Sequence, residues 1–449
     1  MGRLFGTDGV RGIANSELSC EFAVKIGRAA ATVLMSGDIK RPRVMIGKDT
    51  RISSDMLESA IAAGLCSVGA DVVLVGVAPT PAVAYLVKRE GCDAGIMISA
   101  SHNTCEYNGI KIFKSDGYKL PDELEEKIEE LLLDETMPPT VKIGGEVGKI
   151  CSDKGAISHY IDHIRSTAEC DFGGLRVAFD CANGSASVTA RKLFTKLGAD
   201  CRFLCSEPDG TNINAGCGST HLERLQKYVV DNALDAGFAF DGDADRLLAV
   251  DADGNIIDGD MIIALCSKHM KEKGVLNKDT VVVTVMSNMG FTRFCGKNGI
   301  AYERTKVGDR YVLENMVENG YSIGGEQSGH VIFLDYASTG DGQLTAVQIM
   351  NVMKQTGKPL SELAAVMEVF PQIMINVKVS NIGKVRCLYD EEIKKSVSEA
   401  EKELGSSGRV LVRVSGTEPL VRVMLEGSDG NLIKRLGEEI AEVIRERLI

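Results

Sequence analysis

The chain of 449 residues predicts an α/β protein: three related α/β units with mixed sheets, followed by a smaller C-terminal α+β unit. Three observations carry this prediction. Short apolar runs of strand length alternate with stretches of helical periodicity, the pattern of largely parallel sheets covered by helices. The order strand, helix, strand, helix, strand recurs three times, and each third strand ends in a loop dense in polar and charged residues. After Pro371 the pattern changes to a strand, a charged helix, a strand pair and a closing helix.

In the first pass, the strand at 44–46 runs into Gly47-Lys48-Asp49-Thr50-Arg51, and a second strand follows at 72–77. Thr80-Pro81 then reads as an N-cap with proline at the first helical position. The third strand, 95–98, ends in Ser99-Ala100-Ser101-His102-Asn103. The second pass has strands at 177–179, 202–205 and 237–240, the last ending in Asp241-Gly242-Asp243-Ala244-Asp245-Arg246. The third has strands at 281–285, 302–304 and 321–323, followed by Gly324-Gly325-Glu326-Gln327-Ser328-Gly329-His330. Ligands bind beyond the carboxyl ends of strands in such sheets, so the three loops are expected to converge on one cleft.

In the tail, strands are expected at 373–379, 409–414 and 421–425, with helices at 390–404 and from 431. The expected domains are 1–150, 151–254, 255–369 and 370–449. The first boundary falls in the stretch 135–149, which is richer in proline and glycine.

Composition removes several function classes. Lys and Arg number 51 against 63 Asp and Glu, a formal charge of −12, so bulk attraction to nucleic acid or an anionic membrane is not expected. Tryptophan is absent and aromatics are 5%, a poor stacking platform for bases. The N-terminus has no apolar signal core, and the longest apolar stretch, 72–87, is broken by Pro79 and Pro81. The 13 cysteines form no C-x-x-C pair and read as reduced thiols of a cytoplasmic protein. Cys201 and Cys205, four apart near a strand, read as packing residues.

Asp241, Asp243 and Asp245 place three hard oxygen ligands on one strand-end loop, a donor set suited to Mg²⁺. The run is not an EF-hand, since Arg246 and Ala252 stand where Gly and Glu are required. A haloacid-dehalogenase-type phosphatase is the nearer rival, but Asp245 stands where that family carries Thr or Val. Ser101 alone reads as a turn or cap residue. His102 is expected to be a poor base for it, because neighbours on an extended chain point oppositely. A phosphate on Ser101 beside a bound Mg²⁺ accounts for both loops together. Arg413-Val414-Ser415-Gly416-Thr417 combines a guanidinium fork, hydroxyls and accessible amides, the makings of a phosphate cradle. Glu326, Ser328 and His330 could grip sugar hydroxyls, and His330 could move a proton. His159 and His163 are assigned to a helix face, and neither a Walker loop nor G-x-G-x-x-G is found.

With these motifs on view, the chain resembles the α-D-phosphohexomutases over nearly its whole length. The resemblance runs from Phe5-Gly6-Thr7-Asp8-Gly9-Val10-Arg11-Gly12 to Arg422-Val423-Met424-Leu425-Glu426-Gly427. Within that family, Asn212-Ile213-Asn214-Ala215-Gly216-Cys217-Gly218-Ser219-Thr220-His221, Thr284-Val285-Met286-Ser287-Asn288 and Val307-Gly308-Asp309-Arg310-Tyr311 are similar to the glucosamine branch. Gln327 stands where glucose and mannose mutases usually carry Met.

The resemblance implies four domains around a central cleft, with Ser101 as phosphoserine. It implies that Asp241, Asp243 and Asp245 bind one Mg²⁺ with the Ser101 phosphate as a further ligand, and that His102 and Arg246 belong to the same catalytic set. Arg11 and Lys111 would face the reacting centre, with Lys111 or His330 as general acid/base. Gly308, Asp309, Glu326 and Ser328 would contact substrate, while Arg413, Ser415, Gly416, Thr417 and Arg422 would serve the non-reacting phosphate. Thr104 and Val414 replace prolines common in the family, which alters loop stiffness more than chemistry.

The implied reaction interconverts glucosamine 6-phosphate and glucosamine 1-phosphate through a hexose 1,6-bisphosphate, which also serves as activator. It would feed UDP-N-acetylglucosamine and cell-wall precursors. The implied partners are a sugar phosphate and a second copy in a homodimer, with no nucleic acid and no membrane. A sister mutase of glucose or mannose phosphates, a Mg²⁺-dependent sugar phosphatase with Asp241 as nucleophile, and a non-catalytic sugar-phosphate sensor are the rivals.

Overall fold

The computed structural model describes residues 4–6, 8–35, 39–133, 140–153, 155–415 and 419–448. Its backbone divides into two compact units. One comprises Met1–Met286 with Gly299–Val366, and the other Ser287–Asn298 with Met367–Ile449.

The larger unit contains three sheets of one plan. The first is built from β1 (Val10–Ile13), β2 (Arg43–Lys48), β3 (Asp71–Val77), β4 (Ala94–Ile98), β5 (Tyr107–Lys114) and β6 (Ile150–Ser152). Its order is β1-β5-β4-β2-β3-β6, parallel from β4 through β6 and antiparallel where β5 meets β4 and β1. Because β6 pairs with β3, this sheet runs past residue 150. Helices α1 (Cys20–Met35), α2 (Ile52–Ser67), α3 (Thr80–Arg89) and α4 (Asp122–Leu133) accompany it. Val44, Ile46, Ile61, Leu65, Val72 and Ile96 form its fully buried centre. α1 and α2 approach so closely that a Cβ on Gly27 would lie 2.6 Å from the Ile61 carbonyl, and one on Gly64 2.3 Å from that of Val24.

After α5 (Ala156–Ser166), the second sheet uses β7 (Arg176–Asp180), β8 (Asp200–Leu204), β9 (Ala236–Phe240), β10 (Leu247–Asp251) and β11 (Ile256–Ile257), with α6 (Ala186–Phe194) and α7 (Glu223–Asp231). Its order is β11-β10-β9-β7-β8. Phe179 stacks on Phe194 at 3.9 Å between centroids and has Phe203, Phe238 and Phe240 around it. The third follows α8 (Gly259–Glu272) and has β12 (Thr280–Thr284), β13 (Ala301–Thr305), β14 (Ile323–Gly325) and β15 (Val331–Phe333), in the order β13-β12-β14-β15.

The repeat expected from the sequence is thus a repeat of topology. Strand order 3-2-4-5 in the first sheet becomes 8-7-9-10 in the second and 13-12-14-15 in the third. In each, the last parallel strand turns into an antiparallel neighbour. The three loops dense in polar residues are the reversals β4–β5, β9–β10 and β14–β15.

One expectation fails at α3. Its N-cap is Pro79, not Thr80, because the Thr80 hydroxyl donates to Asp243 Oδ2 and its amide to the Asp243 carbonyl. A side chain recruited by another domain is lost to local capping.

Helices α9 (Met289–Asn298), α10 (Asp309–Asn319), α11 (Gly342–Thr356) and α12 (Leu360–Ala364) complete the third repeat in sequence. However, Ser287–Asn298 groups with the smaller unit. Asn288 bonds both backbone groups of Phe370, and buried Glu426 accepts from the Met289 amide and from Arg409. The smaller unit otherwise holds β16 (Gln372–Lys378), α13 (Asn381–Cys387), α14 (Glu391–Leu404), β17 (Gly408–Val414), β18 (Leu420–Gly427) and α15 (Gly430–Leu448). Its antiparallel sheet has the order β16-β18-β17 and buries Val421, Val423 and Leu425 against Ile433, Ile440 and Ile444. Asp390 caps α14 through the Glu392 and Ile393 amides.

No helix among the described residues is long and apolar enough to cross a membrane.

Candidate active site

The β4–β5 and β9–β10 reversals meet at Ser101. Its φ of 52° is left-handed, a conformation that costs a non-glycine residue about 1 kcal/mol or more. The kink is held from outside: Arg51 and Asn214 donate to the carbonyls of both Ser101 and Asn103, and Ser99 Oγ accepts the Ser101 amide. The buried Ser101 Oγ then donates to Asp241 Oδ2 at 2.6 Å. The kink also corrects the expectation for His102. The chain is not extended there, and His102 Nδ1 lies 3.4 Å from Ser101 Oγ. The same nitrogen faces Arg246 NH1 at 3.3 Å. Burial first, then Arg246 and Arg11, push this imidazole down to about 4.

Asp241, Asp243 and Asp245 are buried, with carboxylate oxygens from all three within 4.8 Å of one another. Burial, with Asp245 and Asp243 alongside, holds Asp241 well above the usual carboxylate range. Asp243 Oδ1 and Asp245 Oδ1 are buried without hydrogen-bond partners. Three hard anionic donors, two with an orphaned oxygen, fit a divalent cation such as Mg²⁺.

Lys111, on β5, is 1% exposed and reaches Asp243 at 2.8 Å, Asp8 at 2.9 Å and Asp245 at 3.4 Å. Burial would lower its pKa, but Asp243, Asp8 and Asp245 together raise it well above the ordinary lysine value. Arg11, on β1, is bound to Asp8. Arg246 donates its amide to Asp241 Oδ1 at 3.2 Å and sets Nε 4.0 Å from Asp245 Oδ1.

The β14–β15 loop adds the third wall. Buried His330 sets Nδ1 3.8 Å from Asp245 and Nε2 3.5 Å from Asp309. Its Nε2 accepts the Gly340 amide at 3.0 Å, which places the ring proton of the neutral form on Nδ1. Glu326 Oε1 accepts the Gly308 amide at 3.1 Å, and Ser328 is exposed. Asp309 pairs with Lys119 at 2.6 Å; burial opposes its ionisation, but Lys119 and His330 lower its pKa.

Of the expected residues, this unit brings together Ser101, His102, Lys111, Arg11, Arg246, His330, Asp309 and the three aspartates, with Gly308 and Glu326 adjoining. Sequence reasoning missed Asp8, Lys119, Thr80, Arg51 and Asn214. Asp8 stands inside the Phe5–Gly12 motif, and that signal was available.

In the smaller unit, Arg413 on β17 stands directly opposite Arg422 on β18, which pairs in turn with Asn376. Ser415 is buried and donates its amide to the Leu420 carbonyl at 2.9 Å. Gly416 and Thr417 lie outside the described residues.

Comparison with known proteins gives the family. Profiles of phosphoglucomutase/phosphomannomutase match in chain order: alpha/beta/alpha domain I at residues 2–138, domain II at 158–254, domain III at 258–370 and the C-terminal domain at 374–443. The phosphoglucosamine mutase of Ruminiclostridium cellulolyticum is 54% identical over 450 residues, with 100% of both chains covered. That of Caldanaerobacter subterraneus is 54% identical over 448 residues, again with 100% of both covered. Among solved structures, a phosphoglucomutase/phosphomannomutase family protein from Burkholderia thailandensis has a TM-score of 0.83 at 23% identity, covering 100% of this chain and 99% of that one. Aspergillus fumigatus N-acetylphosphoglucosamine mutase, solved with GlcNAc-6P and magnesium, has a TM-score of 0.73 at 16% identity, covering 99% of this chain and 96% of that one. The structural likenesses speak for the fold, and the sequence matches show that this chain is a mutase of the phosphoglucomutase/phosphomannomutase, or α-D-phosphohexomutase, family.

Proposed function

We propose that the chain interconverts glucosamine 6-phosphate and glucosamine 1-phosphate through a phosphoserine at Ser101. The observation that carries this reading is a strained, buried serine hydroxyl 2.6 Å from one of three clustered aspartates, in a chain 54% identical end to end to phosphoglucosamine mutases.

In the first half-reaction the P–Oγ bond of phosphorylated Ser101 breaks and a P–O1 bond to the sugar forms. The proton of the sugar hydroxyl ends, in net terms, on Ser101 Oγ. The 1,6-bisphosphate turns around, its P–O6 bond breaks, the phosphoryl group returns to Oγ, and the Oγ proton passes in net terms to O6, leaving glucosamine 1-phosphate. Asp241, Asp243 and Asp245, with the phosphate on Ser101, would hold Mg²⁺, which when bound neutralises charge on phosphoryl oxygens. Lys111, kept protonated by three carboxylates, supplies fixed positive charge at Nζ. Arg246 fixes His102 as a neutral acceptor. With Nε2 already accepting Gly340 N–H, neutral His330 has only its Nδ1 proton to offer, on the Asp245 side, and makes no bond to the Asp309 carboxylate.

When Ser101 is phosphorylated, its hydroxyl proton no longer bridges to Asp241. An anion then faces a carboxylate, a repulsion that a cation held by Asp241, Asp243 and Asp245 would offset. Glu326, Ser328, Gly308 and Asp309 are assigned to the sugar. Arg413, Ser415, Gly416, Thr417 and Arg422 are assigned to the non-reacting phosphate. The proposal includes domain limits near those expected from sequence, a cytoplasmic location, a homodimer, activation by hexose 1,6-bisphosphate and supply of UDP-N-acetylglucosamine for cell-wall precursors.

The test is ³¹P NMR with Mg²⁺ and a trace of hexose 1,6-bisphosphate, run in parallel on the 6-phosphates of glucosamine, glucose and mannose. Preferential formation of glucosamine 1-phosphate is expected. Preference for glucose or mannose would move the chain to a sister activity, and free phosphate without any 1-phosphate would favour a phosphatase.

A further inference from the structure

A second cluster of ligating side chains lies at the carboxyl end of the second sheet. Asp180 ends β7, Cys205 follows β8, and Cys217 precedes the turn at Gly218. Their ligand atoms all lie within 4.8 Å of one another, although no short motif joins them in sequence. Asp180 and Cys217 are buried and Cys205 is partly exposed. Cys205 lies beside Cys217, whereas Cys201 donates to the Ala199 carbonyl.

Two observations point from this cluster to a cation. Asp180 Oδ1 accepts the Ala182 amide at 2.9 Å, but Oδ2 is buried without a hydrogen-bond partner in a residue that is 0% exposed. A carboxylate oxygen in that position is costly until a positive charge meets it. Second, one sulfur from each cysteine lies within 4.8 Å of an Asp180 carboxylate oxygen, two soft donors beside a buried hard one. Donor chemistry then selects the ion. Mg²⁺ takes oxygen ligands, whereas two thiolates and one carboxylate suit a thiophilic ion. Metal–sulfur and metal–oxygen bonds of about 2.3 and 2.1 Å in a tetrahedron put ligand atoms roughly 3.5–3.8 Å apart, within the observed spread.

We propose that Asp180, Cys205 and Cys217 form a second metal site, selective for a thiophilic divalent cation such as Zn²⁺. Its ligands come from three loops, so binding fastens those loops together, and one coordination position stays open to solvent on the Cys205 side. Each thiol that binds releases its proton to solvent. The site stands directly behind the reaction loop. The Asn214 amide donates to the Ala182 carbonyl at 2.9 Å, and Asn214 Nδ2 donates to Ser101 and Asn103. The metal therefore acts as a positioning element, not a catalytic one, and the inference stands or falls separately from the substrate proposed above.

The experiment uses the full chain, purified under reducing conditions, stripped with chelator and titrated with Co²⁺ in excess Mg²⁺. Expected is a thiolate-to-cobalt charge-transfer band in the near ultraviolet, saturating at about one equivalent and lost when Zn²⁺ displaces cobalt. Asp243→Asn should keep the band, because carboxylates do not produce it, while the partly exposed Cys205→Ser should lose most of it. Alkylation read by peptide mapping should show the partly exposed Cys205 protected by Zn²⁺ and reactive without it. No band in the wild-type chain, a band that survives Cys205→Ser, or a Cys205–Cys217 disulfide with no metal uptake after reduction would overturn the proposal.

Discussion

Replacing Lys111 with Met tests the electrostatic argument at its centre. The ammonium is 1% exposed and meets Asp243, Asp8 and Asp245 at 2.8, 2.9 and 3.4 Å. Its loss is not felt equally by the three. Asp8 keeps Lys119 at 2.7 Å and Arg11, and Asp245 keeps His330 and Arg246 nearby. Asp243 keeps the Thr80 hydroxyl on Oδ2 and the field of Arg11, with Oδ1 already lacking a hydrogen-bond partner. Removing one member of a buried ion pair costs about 3–5 kcal/mol, because a buried charge is left uncompensated.

The larger unit holds roughly 350 residues, which at about 2.1 cal/mol/K each gives an unfolding entropy near 0.7 kcal/mol/K. The expected loss in Tm is therefore ~4–7 °C. That figure applies in EDTA. Mg²⁺ supplies charge to the same carboxylates, so in saturating Mg²⁺ the gap between Lys111→Met and wild type should shrink by more than half. Differential scanning calorimetry with and without Mg²⁺ reads both numbers. A Tm unchanged within a degree in EDTA, or a gap that Mg²⁺ leaves untouched, would refute the picture of one cation-hungry cluster shared by lysine and metal.

Ser101→Ala should reduce mutase turnover by at least ~10³-fold with Mg²⁺ stabilisation retained, measured by coupled assay and thermal shift; substantial residual activity would favour the phosphatase. Arg413→Gln should raise KM for the sugar phosphate about 10–100-fold, the worth of one charge-assisted hydrogen bond, and an unchanged KM would exclude this arginine from the phosphate. Gly290→Ala places a Cβ 1.6 Å from the Glu368 carbonyl, so the smaller unit should lose about 1–3 kcal/mol in a denaturant melt. Asp341 is raised to about 6 by burial, against the pull of the Leu344 amide and the Tyr160 hydroxyl. A carboxyl raised on folding stabilises most below its unfolded value near 3.9 and loses that contribution as pH rises through about 6. The gap is worth at most ~3 kcal/mol, and Asp341→Asn, which keeps an N-cap on α11, should flatten the Tm–pH curve between about pH 4 and 6; parallel curves would sink the assignment.

What the sequence made legible has a common property: it is local. Asp241, Asp243 and Asp245 share one loop, Ser101 ends one strand, and the repeat shows through apolar periodicity. The partners that shape the site are remote. Lys119 and Asp309 are 190 residues apart, and Thr80 and Asp243 are 163 apart. A lone lysine after a turn or a threonine before a proline reads as surface or cap, and only the folded chain supplies the acid it meets. The backbone geometry at His102 was misjudged for a related reason. Side-chain alternation assumes an extended strand, and the left-handed Ser101 ends that assumption one residue early.

The same long-range bonds explain how the reaction loop dispenses with the proline that Thr104 replaces. Proline would restrict the chain after Asn103 by fixing one dihedral. Here the restraint is applied to the carbonyls instead. Arg51, 2% exposed and anchored by Asp49, spans Ser101 and Asn103 from the first repeat, while Asn214 grips the same two oxygens from the second. Two donors from two domains fix both ends of the turn, and Thr104 contributes its own carbonyl to the Tyr107 amide at 3.2 Å. A proline stiffens a loop whatever the surroundings, whereas the Asn214 half of these bonds forms only when the first and second repeats are docked. The left-handed serine is thereby tied to assembly of the site: the strain at Ser101 persists where Arg51 and Asn214 are both in place to hold it, which is also where Asp241 stands ready to receive its hydroxyl.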